Sequence, residues 1–156
     1  MMAVMTAPAR SGPERKKDTL AKLESEGADV WVATSSPSGV VHMVPLSFAW
    51  DGQLLTLAVL PDSATFRNLG VSGRARLGLG PTRDVVLIDV ELAGQAGVAE
   101  GPQQVAEAYA AQSGWDPRAE SDAYRFLFLR PTRIQAWREA NELAGKMLMR
   151  DGAWLF

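Results

Sequence analysis

The stretch "VVHMVPLSFAWDGQLLTLAVLPDSATFRNL", residues 40–69, decides the fold. Over residues 40–50, His42, Val44, Leu46 and Phe48 share one face, the two-residue period of a half-buried strand. Asp51-Gly52 is a strong hairpin signal, and residues 53–59 make its second, more apolar arm. Pro45 has no N–H to give to a ladder, so it belongs at a sheet edge or beside a cleft. After Pro61-Asp62, the segment "SATFRNL" (63–69) offers Ser63 as the cap of a short helix that turns Phe66 and Leu69 to the core. The same hydroxyls, free backbone N–H groups and Arg67 also make an anion site at a helix start. Capping and anion binding are compatible, and the stretch alone does not choose between them.

Outward from this stretch, "DVWVAT" (29–34) is a β-type run closed by the turn composition "SSPSG". "RARLGLG" (74–80) sets glycines on one face, where something approaches the backbone closely. The run 84–96 is too acidic at Asp89 and Glu91 to be buried on both faces, and 124–138 reads as two strands broken at "RPT". Residues 101–114 read as a helix from a Gly-Pro start to a terminal glycine, and Pro13–Glu26 as a surface helix with Arg15, Lys16 and Lys17 on its solvated side. The last segment reads as a helical turn and a small hairpin around Asp151-Gly152. Residues 1–12 have no period and read as a flexible tail. The expected fold is therefore mainly β: six or seven antiparallel strands forming a β-barrel with flanking helices, in one domain over residues 13–156.

Composition excludes several function classes. The 156 residues carry 16 Lys plus Arg against 18 Asp plus Glu, a net charge of −2, which argues against a nucleic-acid partner. No apolar run approaches a membrane span, and the first residues lack the apolar core of a signal peptide, so the expected location is cytoplasmic. There is no cysteine, hence no thiolate nucleophile and no cysteine-held metal. His42 is the single histidine, which rules out multi-histidine metal sites, and no nucleophile elbow accompanies it. No residue of the chain stands out as a catalytic acid, base or nucleophile. An enzyme of this composition takes its hard chemistry from a cofactor.

The order of pieces from "DVWVATSSPSG" through "MVPLSFAWDG" to "SATFRNL" and "ARLGLG", closed by "FLRPTRIQAWR", resembles the pyridoxamine 5′-phosphate oxidase-like family of FMN-binding split β-barrels. The resemblance implies a homodimer with two cofactor sites in the cleft between subunits. FMN is the implied cofactor; an 8-hydroxy-5-deazaflavin coenzyme in the same cleft is the alternative, and haem, through His42, is the reading the residues favour least. Carried over by position, Val44 and Pro45 would lie along the flavin ring, and Leu57 and Ala58 would hold its phosphate-bearing side. Ser63, Thr65, Arg67 and Asn68 would receive the phosphate, and Trp137 and Arg138 would reach the site from the partner subunit.

The sequence also departs from the oxidases. Ala64 and Thr65 stand where a basic pair follows the serine, Val85 stands where a ring-contacting glutamine is expected, and "AWLF" replaces a basic tail. The implied function is hydride transfer to a small-molecule substrate other than pyridoxamine phosphate. A deazaflavin-dependent reductase, a non-catalytic flavin or haem binder, and a barrel that has lost its cofactor remain as alternatives.

Overall fold

Phe48 is where the barrel splits. In the computed structural model, which describes residues 5–156, the run read as one strand over 40–50 divides there into β2 (Val41–Ser47) and β3 (Ala49–Trp50). β2 pairs with β1 (Asp29–Ser35) from Asp29↔Ser47 to Ser35↔Val41, whereas β3 pairs with β4 (Leu55–Val59). The Asp51-Gly52 turn thus joins β3 to β4, as its chemistry predicts, but β2, most of the expected first arm, lies at the other end of the strand order from β4. Phe48, 1% exposed, is driven into the core, and the chain changes sheet position around it.

The remaining strands are β5 (Arg74–Leu79), β6 (Val85–Gly97), β7 (Arg125–Trp137), β8 (Met147–Arg150) and β9 (Ala153–Trp154). Their order is β2-β1-β5-β6-β7-β4-β3, every pair antiparallel, with β8 and β9 added beside β7. The path does not close: β2 and β4 face each other across a cleft with no ladder between them. This is a split barrel rather than a complete one. Inward residues alternate along β1 (Val30, Val32, Thr34), β5 (Ala75, Leu77, Leu79) and β6 (Val86, Ile88, Val90), as half-buried strands require. β4 is buried at all five positions, so Leu55, Leu57 and Val59 fill the main core while Ala58 joins a smaller one with Tyr109 and Phe126.

Residues 124–138 were expected to form two strands, and β7 is instead continuous. The register steps from Asp89↔Arg133 to Val90↔Pro131, leaving Thr132 as an extra residue. Pro131 is accommodated beside this bulge, where the regular ladder is already interrupted. Asp151 (φ 51°) and Gly152 (φ 76°) both turn left-handed between β8 and β9, the geometry of a tight two-residue hairpin.

Three helices flank the sheet: α1 (Gly12–Leu23), α2 (Ala64–Ser72) and α3 (Gln103–Ser113). α1 starts in a capping box between Ser11 and Glu14 and ends at Leu23, three residues before the Glu26 expected. Its basic triplet is not a solvated face. Arg15 is 4% exposed and donates to the carbonyls of Arg10, Ala136, Glu142 and Ala144, while Lys16 lies 5.0 Å from the Trp154 ring centre. Only Lys17 of the three is exposed. α3 is tied down by Gln112, which accepts from the Trp50 N–H at 2.8 Å and donates to the Leu23 carbonyl at 2.7 Å.

Of residues 1–12, read as a tail, the first four lie outside the described residues. Arg10, in contrast, is docked. Its guanidinium donates to Glu142 at 2.8 and 3.0 Å and to Asp18 at 2.9 Å, within a cluster that also holds Asp84, Lys22 and Arg138. The Arg10 hydrogen bond holds the Glu142 carboxyl down at about 2, against the opposing pull of burial.

Candidate functional site

A cleft of about 760 Å³ opens between β2, β4 and the start of α2. Its near walls are carried by β2, β4 and the start of α2. Val44 and Pro45 line one side because β2 is an edge strand, where a proline costs no ladder bond on its open side. Ala58 lines the opposite side from the smaller-core face of β4. Ser63 caps α2, its Oγ accepting from the Phe66 N–H at 3.1 Å and donating to the Leu60 carbonyl at 2.7 Å. At the first positions of α2, Ala64 and Thr65 present N–H groups with no carbonyl one turn behind them, and both residues line the cleft.

Five of the ten residues expected at a cofactor site therefore meet here: Val44, Pro45, Ala58, Ser63 and Thr65. His42, also on β2, lies in the same lining. The other five do not line it. Leu57 points the opposite way into the main core and is fully buried. Asn68 sits on the inner side of α2, its amide donating to Thr34 Oγ1 at 3.0 Å. Arg67 is exposed, with its guanidinium donating to the Asp62 carbonyl. Trp137 closes β7 opposite Val85, with Lys146 Nζ 5.0 Å from its ring centre, and Arg138 pairs with Asp84 at 3.4 Å and Asp18 at 3.7 Å. Both were expected to reach the cofactor site of a partner subunit, not the cleft of their own chain.

The far wall was not anticipated. Tyr109 of α3, Trp115 just beyond it and Tyr124 ahead of β7 line the cleft together. Trp115 meets Tyr109 edge-on at 6.3 Å and Tyr124 at 5.2 Å. The Tyr109 hydroxyl donates to the Ser47 carbonyl at 3.3 Å, and burial pushes its ionisation far above the ordinary tyrosine range, so it remains a neutral phenol. Ser47 Oγ donates in turn to Asp29 at 3.3 Å. Asp29 and Asp62 are the charged carboxylates in the lining, and no lysine or arginine joins them there. The only sequence signal for this wall was the placement of aromatics around the Gly114 helix stop, which reads equally well as core.

Among the described residues no group of histidines and carboxylates is arranged to hold a metal ion, and no helix is long and apolar enough to cross a membrane. An open antiparallel barrel with a cleft at its split, floored by an edge strand and ended by a helix start, defines the split-barrel class. Known structures share it. The chain superposes on an F420 reductase with a TM-score of 0.61 at 16% identity, over 73% of this chain and 94% of the other. It superposes on a heme binding protein from Mycobacterium smegmatis with a TM-score of 0.60 at 17% identity, over 94% of this chain and 60% of the other. General Stress Protein 26 from Bacillus anthracis gives 0.58 at 13% identity, over 80% and 93%. No curated protein matches the sequence. The family model described as pyridoxamine 5′-phosphate oxidase matches residues 18–138, most of the chain, and the protein belongs to that family.

Proposed function

We propose that the cleft binds a flavin-type cofactor, FMN or an 8-hydroxy-5-deazaflavin coenzyme, and that the protein is an oxidoreductase acting on a small molecule. The observation that carries this reading is the convergence of an apolar floor with a helix start. Val44, Pro45 and Ala58 offer a surface for a flat ring, and the Ala64 and Thr65 N–H groups with the Thr65 hydroxyl offer donors for a phosphate. The group fits these residues: the ring needs apolar contact, and a phosphate accepts from N–H and O–H donors without requiring a cation beside it. A bound flavin supplies hydride chemistry, while the chain orients the ring and keeps water from one side of it. Family membership and the F420 reductase among the similar structures support the cofactor class.

The reading includes a second copy of the chain. The outer face of β1 and β2 exposes Trp31 (50%), Val41 (74%) and Met43 (59%) beside Pro45, and in the expected homodimer this face lies in the interface next to the cleft. Sedimentation should show a dimer at micromolar concentration that Trp31→Glu splits into monomers.

Titration of the purified protein with FMN and with the deazaflavin coenzyme, followed by visible absorbance and fluorescence quenching, tests the cofactor. Saturable binding of either one supports the reading and chooses between them; binding of neither sinks it. A second reading follows from His42 in the lining and the heme binding protein among the similar structures. On that reading added haem gives a Soret band that His42→Ala abolishes.

A further inference from the structure

The charge and the surface of the cleft's far end point to the class of substrate, an inference that rests on the cofactor reading above. This end is made by the half-buried Trp115 and Tyr124, with the buried Tyr109 behind them and Asp29 linked to it through Ser47. Asp29 begins β1, lines the cleft and is exposed. Its one hydrogen-bond donor among the described residues is Ser47 Oγ at 3.3 Å, and no ion pair neutralises it. Asp62 adds a second carboxylate at the helix α2 end of the same lining.

Cations near this surface are committed elsewhere or turned away. Lys22, in the groove on the other side of Asp29, holds Asp84 at 3.0 Å. Arg67 lies outside the lining and donates to a backbone carbonyl. At the Asp29 end an anionic substrate would meet a carboxylate with no lysine or arginine in the lining to offset it. A neutral aromatic substrate would gain the stacking surface only. A cation gains both, because the negative faces of Tyr and Trp rings and a nearby carboxylate attract positive charge together.

We propose that the substrate is a planar organic cation, an N-alkylated or protonated nitrogen heteroaromatic or arylamine, whose charged nitrogen sits at Asp29 against the half-buried Trp115 and Tyr124 rings, which the buried Tyr109 backs. The flat body of such a molecule extends toward the floor formed by Val44 and Pro45, where the cofactor ring is expected.

Three probes of matched size separate the possibilities: N-methylquinolinium, neutral quinoline at pH 8, and 2-naphthoate. Each is titrated into FMN-loaded protein and into the protein alone, with tryptophan fluorescence as the readout. N-methylquinolinium should bind roughly tenfold more tightly than quinoline, and 2-naphthoate least well. Asp29→Asn should bring the cation to within about threefold of quinoline, and Trp115→Leu should weaken both. Equal affinity for the three probes, or an unchanged cation preference in Asp29→Asn, overturns the proposal. So does displacement of bound FMN by the cation, since the probe would then occupy the cofactor's place. Failure of FMN to bind at all sinks the cofactor reading, while the probe preference is still measured on the protein alone.

Discussion

Ala64→Asp isolates the proposed phosphate site from the stability of the fold. Ala64 is the first residue of α2 and half-buried in the cleft wall. A carboxylate at a helix N-terminus is favourable by about 0.3–1 kcal/mol, so the variant should fold at least as well as the parent. Toward a phosphate held by the same N–H groups it is a like charge. At a separation of about 5 Å in water, each pair of unit charges repels by roughly 0.8 kcal/mol. With about −1.5 to −2 charges on the phosphate, the penalty is about 1.2–1.7 kcal/mol, roughly a tenfold loss of affinity. The low dielectric of a half-closed cleft makes that a lower bound. The assay is a paired titration with FMN and riboflavin, which share the ring and differ in the phosphate. FMN affinity should fall about tenfold or more while riboflavin affinity stays unchanged and the melting temperature does not drop. Equal effects on both ligands, or none on FMN, would refute a phosphate at this helix start.

Leu57→Ala should lower stability by about 2–5 kcal/mol, read by urea unfolding, because Leu57 fills the main core. In the folded variant FMN affinity should be unchanged, and a large selective loss would return Leu57 to the site. Arg15→Leu should destabilise by about 3 kcal/mol or more, since it strips the donors from four carbonyls, two of them buried; an unfolding midpoint equal to the parent's would show that water replaces them. Glu142 titrates near 2 in the folded protein and near 4.5 when unperturbed, so its stabilisation is complete above about 4.5 and is lost as pH falls toward about 2. Glu142→Gln should therefore be less stable than the parent at pH 7 and lose less stability across that acid window; parallel pH profiles would remove the carboxylate from the account.

The sequence alone determined what depends on near neighbours. Two-residue alternation over β1, β2, β5 and β6, the glycine stops of α2 and α3, and the Asp-Gly turns at 51–52 and 151–152 are local geometry, because φ/ψ preferences and side-chain direction are set within a few residues. The convergence of Val44, Pro45, Ala58, Ser63 and Thr65 was legible only through the resemblance to the family, which carried them over by position. Tertiary structure alone decided the rest. Whether residues 40–50 form one strand or two depends on Phe48 finding a core made by distant strands. Arg15 looks like any helix-surface cation until carbonyls more than a hundred residues away in sequence surround it. Pro131 reads as a strand break unless a facing strand supplies the bulge that accommodates it. The aromatic wall opposite Pro45 comes from α3 and the segments after it, more than sixty residues beyond β2. Burial and cleft walls arise from long-range packing, where one apolar residue substitutes for another in pattern but not in place, so no local period records which side chains will face each other.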